Sequence, residues 1–369
     1  MTAKLSLFNG IKILDLSRVF SGPFATRHFS DFGAEVIKIE PPSGDESRKF
    51  PPLLNNWSGY FEVLNRNKQA ITLDLKNESD LSKLYQLSRE ADVFVENFSP
   101  SIKKKLKVDY EHIKKYNDKI IYASISGISA EVNRKYYDII AQAESGFVSL
   151  NGETEDMKVA TSVVDAFSGM KLAYAISSAL YFREKNNLGT QITVSMKGSA
   201  FDLLEQNLIA SSISKQNPPK VGNMDTAIAP FGIFKTKDGS IALAIGNESL
   251  WQRFLSFVLQ ENAQFPTEQF TSNDARLQNL PLLKAELEKV FSKFGSKKLV
   301  EVLQSLEIPC GEIKTMTEVI RDKENFEQQL LTTYAVAGVE VVVPTGGIFY
   351  SNIEQEKCKP APHMASSDD

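Results

Sequence analysis

Short apolar runs alternate with amphipathic segments along this chain as far as residue 214. The runs are rich in β-branched residues and predict strands at residues 11–16, 34–40, 69–75, 92–98, 119–127 and 191–196. The segments between them have helical periodicity, chiefly over residues 24–32, 78–90, 99–106, 136–148, 165–184 and 199–214. This alternation, with nearly continuous apolar strands, predicts an α/β fold whose parallel sheet is covered on both faces.

The loop after the first predicted strand reads SRVFSGP. Ser21 is a candidate N-cap, Pro23 suits a first helical turn, and Gly33 suits the position after a helix. The loop lacks a GxGxxG motif, so the usual Rossmann mode of dinucleotide binding has no support here. The segment predicts a right-handed strand–helix–strand unit.

The pattern changes near residue 215, where SKQNPPKVGN is polar and contains adjacent prolines, which is typical of a linker. A hairpin around Asp238-Gly239 and helices at residues 248–259, 281–294 and 296–306 follow. We therefore predict a large domain of residues 1–214, completed by about 326–369, and a small α+β domain of residues 222–325. The tail KPAPHMASSDD is predicted to be disordered.

Charge and composition argue against several functional classes. A net charge of −4 does not favour nucleic-acid binding, which depends on neutralising phosphates. The two cysteines, Cys310 and Cys358, provide neither a disulfide framework nor a CxxC metal site. No run approaches the roughly 18 apolar residues of a membrane span, and no secretory signal is recognisable. The expectation is a cytoplasmic protein without nucleic-acid or membrane partners.

Because the chain has only three histidines, carboxylates are the better candidates for catalytic groups. His28, His112 and His363 are not spaced as ligands on one helix face and do not suggest a Ser–His–Asp mechanism. Asp165, in contrast, stands at the head of the long apolar run VVDAFSGMKLAYAISSALYF. Helix capping is the common role of such an aspartate, and a nucleophile is the alternative.

An ordered set of sequence words resembles the class III CoA-transferases of the CaiB/BaiF type, which include formyl-CoA transferase and carnitine CoA-transferase. The words include GIKILDLSRVFSGPFATRHFSDFGAEVIKIEPPSGDESR (10–48), YFEVLNRNKQAITLDLK (60–76), ADVFVENFSP (91–100), YYDIIAQAESGFVSLNG (136–152) and VVDAFSGMKLAYAISSAL (163–180). The resemblance is dense over residues 9–200 and patchy beyond. It implies a large Rossmann-like CoA-binding domain, a smaller α+β domain and an interlocked homodimer.

Asp165 and Gly169 match the family's D-x-x-x-G motif, whose aspartate is the nucleophile. The resemblance implies that Asp165 attacks an acyl-CoA to form an acyl-aspartyl anhydride, which the CoA thiolate converts to an aspartyl-CoA thioester. The acceptor carboxylate then attacks, and CoA passes to the new acid. The helix start is expected to help keep Asp165 ionised, and Gly169, one turn on, to admit a ligand or a partner backbone.

This reaction needs no metal and no permanently bound cofactor, because CoA and acyl-CoA are its substrates. The other partner is a small carboxylic acid, for which a dicarboxylate is the expected class. The family's glycine-rich loop is replaced here by VGNMDTAIAP (221–230), which argues against strict oxalate or formyl specificity.

The resemblance also implies which residues contact CoA. Val19, Phe20 and Ser21 match the CoA-contacting turn of the family, although Phe20 replaces a glutamine that helps to activate the thioester. The family's other contacts to adenine, pantetheine and phosphates, and those near the reacting centre, match Leu73, Lys76, Asn97, Phe98, Lys105, Lys135, Tyr136, Tyr137 and Asp138.

Three candidate contacts to CoA or to the acceptor acid also have structural alternatives. The run KKKLK (103–107) is also typical of a solvated basic face. The pair Tyr136-Tyr137 also suits a buried helix start. Arg48 is either a ligand of a phosphate or carboxylate, or a surface residue.

Two other functions remain open. An α-methylacyl-CoA racemase on the same fold uses a G-H-D word where this chain has Tyr136-Tyr137-Asp138, so one proton-transfer group is missing. A catalytically degenerate CoA-binding protein is the third hypothesis, since Phe20 and the absent glycine loop depart from the family pattern.

Overall fold

A computed structural model describes residues 6–353 and 357–364. The chain forms two compact units: Met1–Phe147, Lys158–Glu205 and Lys323–Asp369 make the first, and Val148–Met157 with Gln206–Asp322 make the second. The domain bounds predicted above, 1–214 and 222–325, stay a prediction.

The strands, in chain order, are β1 (Lys12–Asp15), β2 (Glu35–Glu40), β3 (Leu53–Leu54), β4 (Trp57–Ser58), β5 (Gln69–Thr72), β6 (Val93–Glu96), β7 (Ile121–Ser126), β8 (Thr190–Ser195), β9 (Phe231–Lys235), β10 (Ser240–Ala244), β11 (Cys310–Glu312), β12 (Leu331–Val336) and β13 (Val339–Pro344).

The helices are α1 (Ser21–Asp31), α2 (Gly59–Asn65), α3 (Glu78–Glu90), α4 (Pro100–Lys105), α5 (Tyr110–Ile113), α6 (Asp138–Ser145), α7 (Phe147–Leu150), α8 (Val163–Asn186), α9 (Met196–Leu203), α10 (Glu205–Ser214), α11 (Glu248–Glu261), α12 (Asn273–Gln278), α13 (Leu280–Phe291), α14 (Ser296–Ser305), α15 (Met316–Arg321) and α16 (Lys323–Glu327). Short 3₁₀ helices span Glu46–Lys49 and Thr267–Gln269.

Six parallel strands form the central sheet of the first unit, in the order β5-β2-β1-β6-β7-β8. This confirms the predicted α/β fold. The chain moves from β1 to one side through β2 and β5, and then builds β6, β7 and β8 on the other side. Ligands of open parallel sheets bind at the carboxyl ends of the strands beside such a reversal, so the loops after β1 and β6 become the first place to look for a site.

The sheet is buried on both faces, as the apolar strands predict. Ile13 and Val93 belong to a core cluster that includes α1 and α8 side chains. Their neighbours Leu14 and Phe94 belong to the cluster on the opposite face, which includes Leu84 of α3. Because side chains alternate along a strand, each strand supplies both layers.

The second unit has an antiparallel sheet in the order β11-β10-β9. Its core is built from aromatic and leucine side chains of α11, α13 and α14, such as Trp251, Phe254, Leu287 and Leu303. The hairpin predicted around Asp238-Gly239 joins β9 to β10 and is confirmed. Sequence analysis missed β11, because its residues CGE show no apolar alternation.

Several predicted boundaries are wrong. Ser21 is the first residue of α1 and not its cap, since Phe20 occupies the N-cap position without a side-chain hydrogen bond. The helix predicted at 136–148 is divided between α6 and α7 by Gly146, whose φ is 96°. Two further strands, β12 and β13, pair as an antiparallel hairpin.

The tail is ordered where the structure describes it, so predicted disorder is wrong for residues 359–364. The backbone N–H of Ala361 donates to Glu62 at 2.9 Å, and that of Lys359 donates to Asn67 at 2.6 Å. Residues 365–369 of the predicted disordered tail lie outside the described residues. Over the described ranges, no helix has the length and apolar character needed to cross a membrane.

Candidate active site

Asp165 is the third residue of α8, whose N-cap, Ser162, makes no side-chain capping bond. The cap comes from another helix. Asp138, the first residue of α6, accepts hydrogen bonds from the backbone N–H groups of Val164 at 2.9 Å and of Asp165 at 3.2 Å. Asp165 therefore does not cap its own helix, and the capping interpretation is wrong.

Burial and the charge of Asp138 raise the pKa of Asp165 to about 7, and a hydrogen bond with Ser21 opposes that rise. The expectation that the helix start keeps this carboxyl ionised is wrong, because Asp138 occupies first-turn N–H groups and adds a like charge. Near neutral pH, a fraction of Asp165 is ionised. That ionised carboxylate is more basic, and hence a better nucleophile, than an ordinary aspartate.

Gly169 allows α1 to approach α8. A Cβ at this position would lie 2.6 Å from the backbone oxygen of Ser21 and 3.0 Å from the ring of Phe24. The sequence led us to expect a ligand or a partner backbone here, but the backbone that approaches is that of α1 in the same chain. This close packing brings Ser21 within hydrogen-bonding reach of Asp165.

The turn that was predicted to contact CoA follows β1 and is held by a buried ion pair. Lys38 donates to the backbone oxygen of Ser17 at 2.9 Å and pairs with Asp45 at 2.9 Å. Asp45 in turn accepts a hydrogen bond from the backbone N–H of Val19 at 3.3 Å. Val19 has a φ of 65°, which a β-branched residue rarely adopts. The ion pair therefore stabilises a strained backbone at the carboxyl end of β1.

A second buried pair supports the start of α1. Lys68 lies 2.9 Å from Asp15 and donates to the backbone oxygen of Pro23 at 3.0 Å. Although burial opposes it, the charges of Lys68 and Lys38 lower the pKa of Asp15 to about 2. Burial lowers the pKa of Lys68 to about 8. Sequence analysis missed these pairs, because single charged residues in strands and loops look the same whether they are buried or exposed.

A cavity of about 410 Å³ opens at the carboxyl edge of the sheet, within the size range of small-molecule sites. Its wall includes Leu73, Lys76 and Phe98, three of the residues predicted to contact CoA. Arg18, from the loop after β1, also lines it, with its guanidinium 5.3 Å from the centre of the Phe98 ring. The structure thus brings together residues from three of the quoted sequence words.

Asn97 follows β6 and holds the loop after β1. Its side-chain oxygen accepts from the backbone N–H of Arg18 at 2.9 Å, and its amide nitrogen donates to the Arg18 backbone oxygen at 2.8 Å. Both ends of the amide are thereby engaged with one residue. The contact that Asn97 makes here is with the protein, so its clearest effect is on the position of Arg18.

The basic run 103–107 divides in the structure. Lys103 is buried and pairs with Glu96 at 3.0 Å, so a solvated face is the wrong interpretation for this lysine. Lys105, the last residue of α4, is exposed and is not among the residues that line the cavity. Its predicted phosphate contact stays a prediction.

The segment before α6 is mostly exposed. Lys135 and Tyr137 are exposed, which excludes a buried helix start at Tyr137. Tyr136 is half-buried and donates to Glu144 at 3.1 Å. Asp138, the first residue of α6, is buried beside the first turn of α8. The CoA contacts predicted for these residues stay predictions.

The side chain of Arg48 is held by contacts within the protein. It makes a two-pronged pair with Glu40, at 2.7 and 2.6 Å, and donates to the backbone oxygen of Pro362 at 3.1 Å. Its guanidinium lies 3.8 Å from the centre of the Phe61 ring. These contacts anchor the tail to the segment around Glu40 within the first unit, and they engage the guanidinium that was a candidate ligand of phosphate.

Sequence analysis missed Tyr60, although it opens the quoted word YFEVLNRNK. Burial and the charge of Asp165 raise the pKa of Tyr60 to about 12. Its ring meets that of Phe20 edge-on, with centres 6.0 Å apart, and Phe20 stacks on Phe24 at 5.6 Å. Phe20, which the resemblance matches to a glutamine, thus belongs to an aromatic cluster with Tyr60 and Phe24.

His28 and His112 each contact a charged side chain of a neighbouring residue on the same element or beside it. His28 contacts Arg27 at 3.3 Å, and burial lowers its pKa to about 4, so it is neutral at pH 7. His112 bonds to Asp109 at 2.9 Å. In residues 6–353 and 357–364, no three His, Cys, Asp or Glu side chains are grouped as metal ligands.

Comparison with known proteins identifies the family. The model of CoA-transferase family III matches residues 8–367. The acetyl-CoA:oxalate CoA-transferase of Acetobacter aceti is 34% identical over 319 residues, covering 84% of this chain and 82% of that protein. The succinate–glutarate CoA-transferase of Agrobacterium fabrum is 31% identical over 333 residues, covering 86% and 82%.

A solved structure agrees with these sequence relatives. The crystal structure of a CaiB/BaiF family protein from Brucella suis superimposes with a TM-score of 0.86 and 28% identity, covering 97% of this chain and 96% of that one. Because the family match spans nearly the whole chain, the resemblance expected from the sequence words is confirmed. The chain belongs to CoA-transferase family III and is a class III CoA-transferase, which moves CoA between an acyl-CoA and a carboxylic acid.

Proposed function

We propose that this enzyme transfers CoA through covalent intermediates on Asp165. The observation that carries the proposal is the half-buried carboxyl of Asp165, whose pKa of about 7 leaves a reactive carboxylate at working pH. Ser21 links this carboxyl to the turn after β1, and Arg18 of the same loop lines the 410 Å³ cavity. A CoA whose nucleotide lies in the cavity would direct its thioester along this loop toward Asp165.

The proposed reaction balances without a metal or a histidine. An oxygen of ionised Asp165 attacks the thioester carbon, the C–S bond breaks, and CoA leaves as a thiolate. The thiolate attacks the Asp165 carbonyl of the resulting anhydride and releases the donor acid as its carboxylate. The acceptor carboxylate then attacks the aspartyl-CoA thioester, and the freed thiolate attacks the acceptor carbonyl, which regenerates Asp165.

We assign the cavity to the nucleotide and pantetheine of CoA. Leu73 and Phe98 supply apolar and aromatic wall, and Lys76 and Arg18 supply positive charge for phosphates. Val19 and Phe20 join Arg18, which lines this cavity, to Ser21, whose side chain bonds to Asp165. No metal and no permanently bound cofactor takes part in the proposal.

We propose a small dicarboxylic acid as donor or acceptor. Relatives are named for oxalate, succinate and glutarate, and another, from Haloarcula hispanica, for succinyl-CoA and mesaconate. All of these acids carry a second carboxylate. The names differ among themselves, so the choice of acid in this chain depends on loops such as 221–230.

The exposed apolar surface supports a homodimer, which we propose on the family pattern of interlocked chains. Helix α10 has the composition of a packed helix, yet none of its residues is buried. Ile209 and Ile213 on α10 are 59% and 79% exposed, and Tyr174 and Tyr181 on α8 are 76% and 68% exposed. Exposed apolar side chains at this density are typical of a surface that another chain covers.

The covalent mechanism is tested by intact-mass measurement after brief incubation with acetyl-CoA, succinyl-CoA, glutaryl-CoA or formyl-CoA, with and without hydroxylamine. We expect a hydroxylamine-sensitive adduct on the wild type and on Asp118→Ala, an exposed aspartate that serves as the matched control. We expect no adduct on Asp165→Ala. An adduct that persists in Asp165→Ala, or turnover without any adduct, would overturn the proposal.

A further inference from the structure

Asp138 is fully engaged at the junction of α6 and α8. One carboxyl oxygen accepts from the backbone N–H groups of Val164 and Asp165, at 2.9 and 3.2 Å. The other oxygen accepts from the side-chain amide of Gln142 at 2.6 Å. The side chain is 9% exposed, so these bonds form largely away from water. A carboxylate that is held by three donors has a fixed orientation.

Gln142 extends this arrangement to the chain before α8. Its side-chain oxygen accepts from the backbone N–H of Val159 at 2.9 Å, and Gln142 itself is completely buried. Asp138 thus binds the first turn of α8, and Gln142 binds Val159 in the segment that precedes this helix. The backbone that carries Asp165 is placed by these two side chains and by the packing of Gly169 on α1.

We infer that Asp138 is a positioning residue for the transfer reaction, which fixes the backbone of Asp165 and supplies a negative charge whose repulsion is relieved when Asp165 is acylated. This inference rests on the proposed function, because it assumes that Asp165 is the nucleophile. It gives Asp138 a role other than the CoA contact that the family resemblance implied.

The chemistry of the first step explains how the charge acts. When the Asp165 oxygen bonds to the acyl carbon and the C–S bond breaks, the electron pair moves to sulfur. The negative charge therefore leaves Asp165, which lies beside Asp138, and appears on the CoA thiolate. Repulsion is present in the free enzyme and absent from the acylated enzyme, so Asp138 favours acylation by destabilising the ionised ground state.

The other charged and titratable groups near Asp165 have partners or are neutral. Tyr60 of α2 stays protonated, with a pKa of about 12. His28, on α1, is neutral at pH 7, and Arg27 beside it interacts with Asp31. On the helices packed around it, Lys171 of α8 pairs with Asp202, Glu144 of α6 with Arg134, and Lys197 of α9 with Glu144. Of the described groups, Asp138 supplies the charge that raises the pKa of Asp165.

The test compares Asp138→Asn with Asp138→Glu in the full-length enzyme. The asparagine keeps the shape and one acceptor oxygen but removes the charge, whereas the glutamate keeps the charge. Single-turnover acylation with the donor that gives the wild-type adduct is followed by quenched intact mass from pH 5 to 9. Affinity for CoA and the thermal unfolding midpoint are measured for both variants, which identifies a variant that fails to fold.

We expect the acid-side midpoint of acylation to fall by about one pH unit or more in Asp138→Asn, because Asp165 loses its like-charged neighbour. The plateau rate should fall about tenfold with little change in CoA affinity. Asp138→Glu should restore a midpoint close to that of the wild type.

Two results would overturn the inference. One is an unchanged midpoint in Asp138→Asn, with or without a lower rate, since a purely structural role moves the rate and not the midpoint. The other is an equal downward shift in Asp138→Glu, since the charge would then be irrelevant. Absence of an adduct in the wild type is a separate outcome, which refutes the proposed function and this inference with it.

Discussion

At the scale of single residues, the pKa of Asp165 depends on what surrounds the carboxyl more than on its place at a helix start. A carboxylate in the first turn of a helix is normally stabilised by the free N–H groups there. Here Asp138 accepts from the N–H groups of Val164 and Asp165, and burial removes water. Two aspartates that look alike in sequence thus have different roles, one as a cap and the other as the proposed nucleophile.

The raised pKa of Asp165 has a consequence for stability. The group has an ordinary pKa of 3.8 when unfolded and about 7 when folded. Between these values the folded protein retains a proton that the unfolded chain releases, so this contribution favours folding at low pH and is lost as pH rises through 7.

We therefore expect Asp165→Asn to stabilise the protein relative to the wild type, and more so at pH 8 than at pH 5. The gain should be a few degrees in the thermal unfolding midpoint at pH 8, measured by calorimetry or circular dichroism. The exposed Asp118→Asn serves as the control and should show no such pH dependence. An equal effect of Asp165→Asn at both pH values would contradict the raised pKa.

Gly169 provides a second residue-scale prediction. Alanine in a helix interior normally stabilises by about 1 kcal/mol relative to glycine, but here its Cβ would meet the Ser21 backbone at 2.6 Å. We expect Gly169→Ala to destabilise the fold by about 1–3 kcal/mol in denaturant unfolding and to lower activity, because α1 must move.

Gly246→Ala is the matched control for this substitution, since no atom lies within 4 Å of the position that a Cβ would occupy there. Its free energy of unfolding should change by less than about 0.5 kcal/mol. If Gly169→Ala is as stable and active as the wild type, the close packing of α1 on α8 is not required.

At the scale of elements, the loop after β1 is held by groups from other strands. Lys38 of β2 and Asp45 bind the two ends of the turn at Ser17 and Val19. Asn97, after β6, binds the residue between them, Arg18. Three neighbouring strands thus cooperate in placing one loop at the point where the strand order reverses.

This arrangement predicts the effect of removing the Asn97 side chain. In Asn97→Ala, both bonds to the Arg18 backbone are lost, so the middle of the loop should be less ordered before CoA binds. We expect the KM for acyl-CoA to rise about tenfold, which corresponds to the roughly 1.4 kcal/mol that one or two such bonds contribute, with a smaller change in kcat.

Steady-state kinetics with the donor that gives the adduct measures this split between KM and kcat. Asn186→Ala is the control, since this exposed residue of α8 donates to the backbone oxygen of Phe182 in its own helix. An unchanged KM in Asn97→Ala would show that the loop is held without this amide.

At the scale of the whole molecule, the first unit contains the sheet, the cavity and Asp165, whereas the second has its own core. Two features of the described chain remain unexplained by either unit alone: the unburied helix α10 and the exposed tyrosines of α8. The proposed dimer explains both, because a second chain would cover them.

We expect Ile213→Glu to weaken the dimer, since a charge placed in an apolar interface loses its water without gaining a partner. Light scattering coupled to size-exclusion chromatography should show a homodimer for the wild type and a lower mass for the variant at micromolar concentration. Gln260→Glu, on the exposed face of α11, is the control and should remain dimeric. A monomeric wild type would refute the dimer proposal.

Much of this protein follows from local sequence. The alternation of apolar runs and amphipathic segments predicted the six parallel strands and most helices, because strand and helix periods are written into neighbouring residues. The D-x-x-x-G motif of Asp165 and Gly169 marked the proposed nucleophile only through the resemblance to the family, because the residues alone favoured a helix cap. Short elements such as β11 and α2 were missed, because few residues carry too weak a period.

The tertiary structure decided the rest, because the decisive neighbours are far apart in the chain. Asp138 and Asp165 are 27 positions apart, and Lys68 and Asp15 are 53 positions apart. A charged residue reads the same in sequence whether it is solvated or buried, yet burial and pairing change its pKa and its role. The sequence by itself determined which carboxyl stands at the head of α8. Only the fold decided that another aspartate caps that helix and leaves Asp165 with a pKa of about 7.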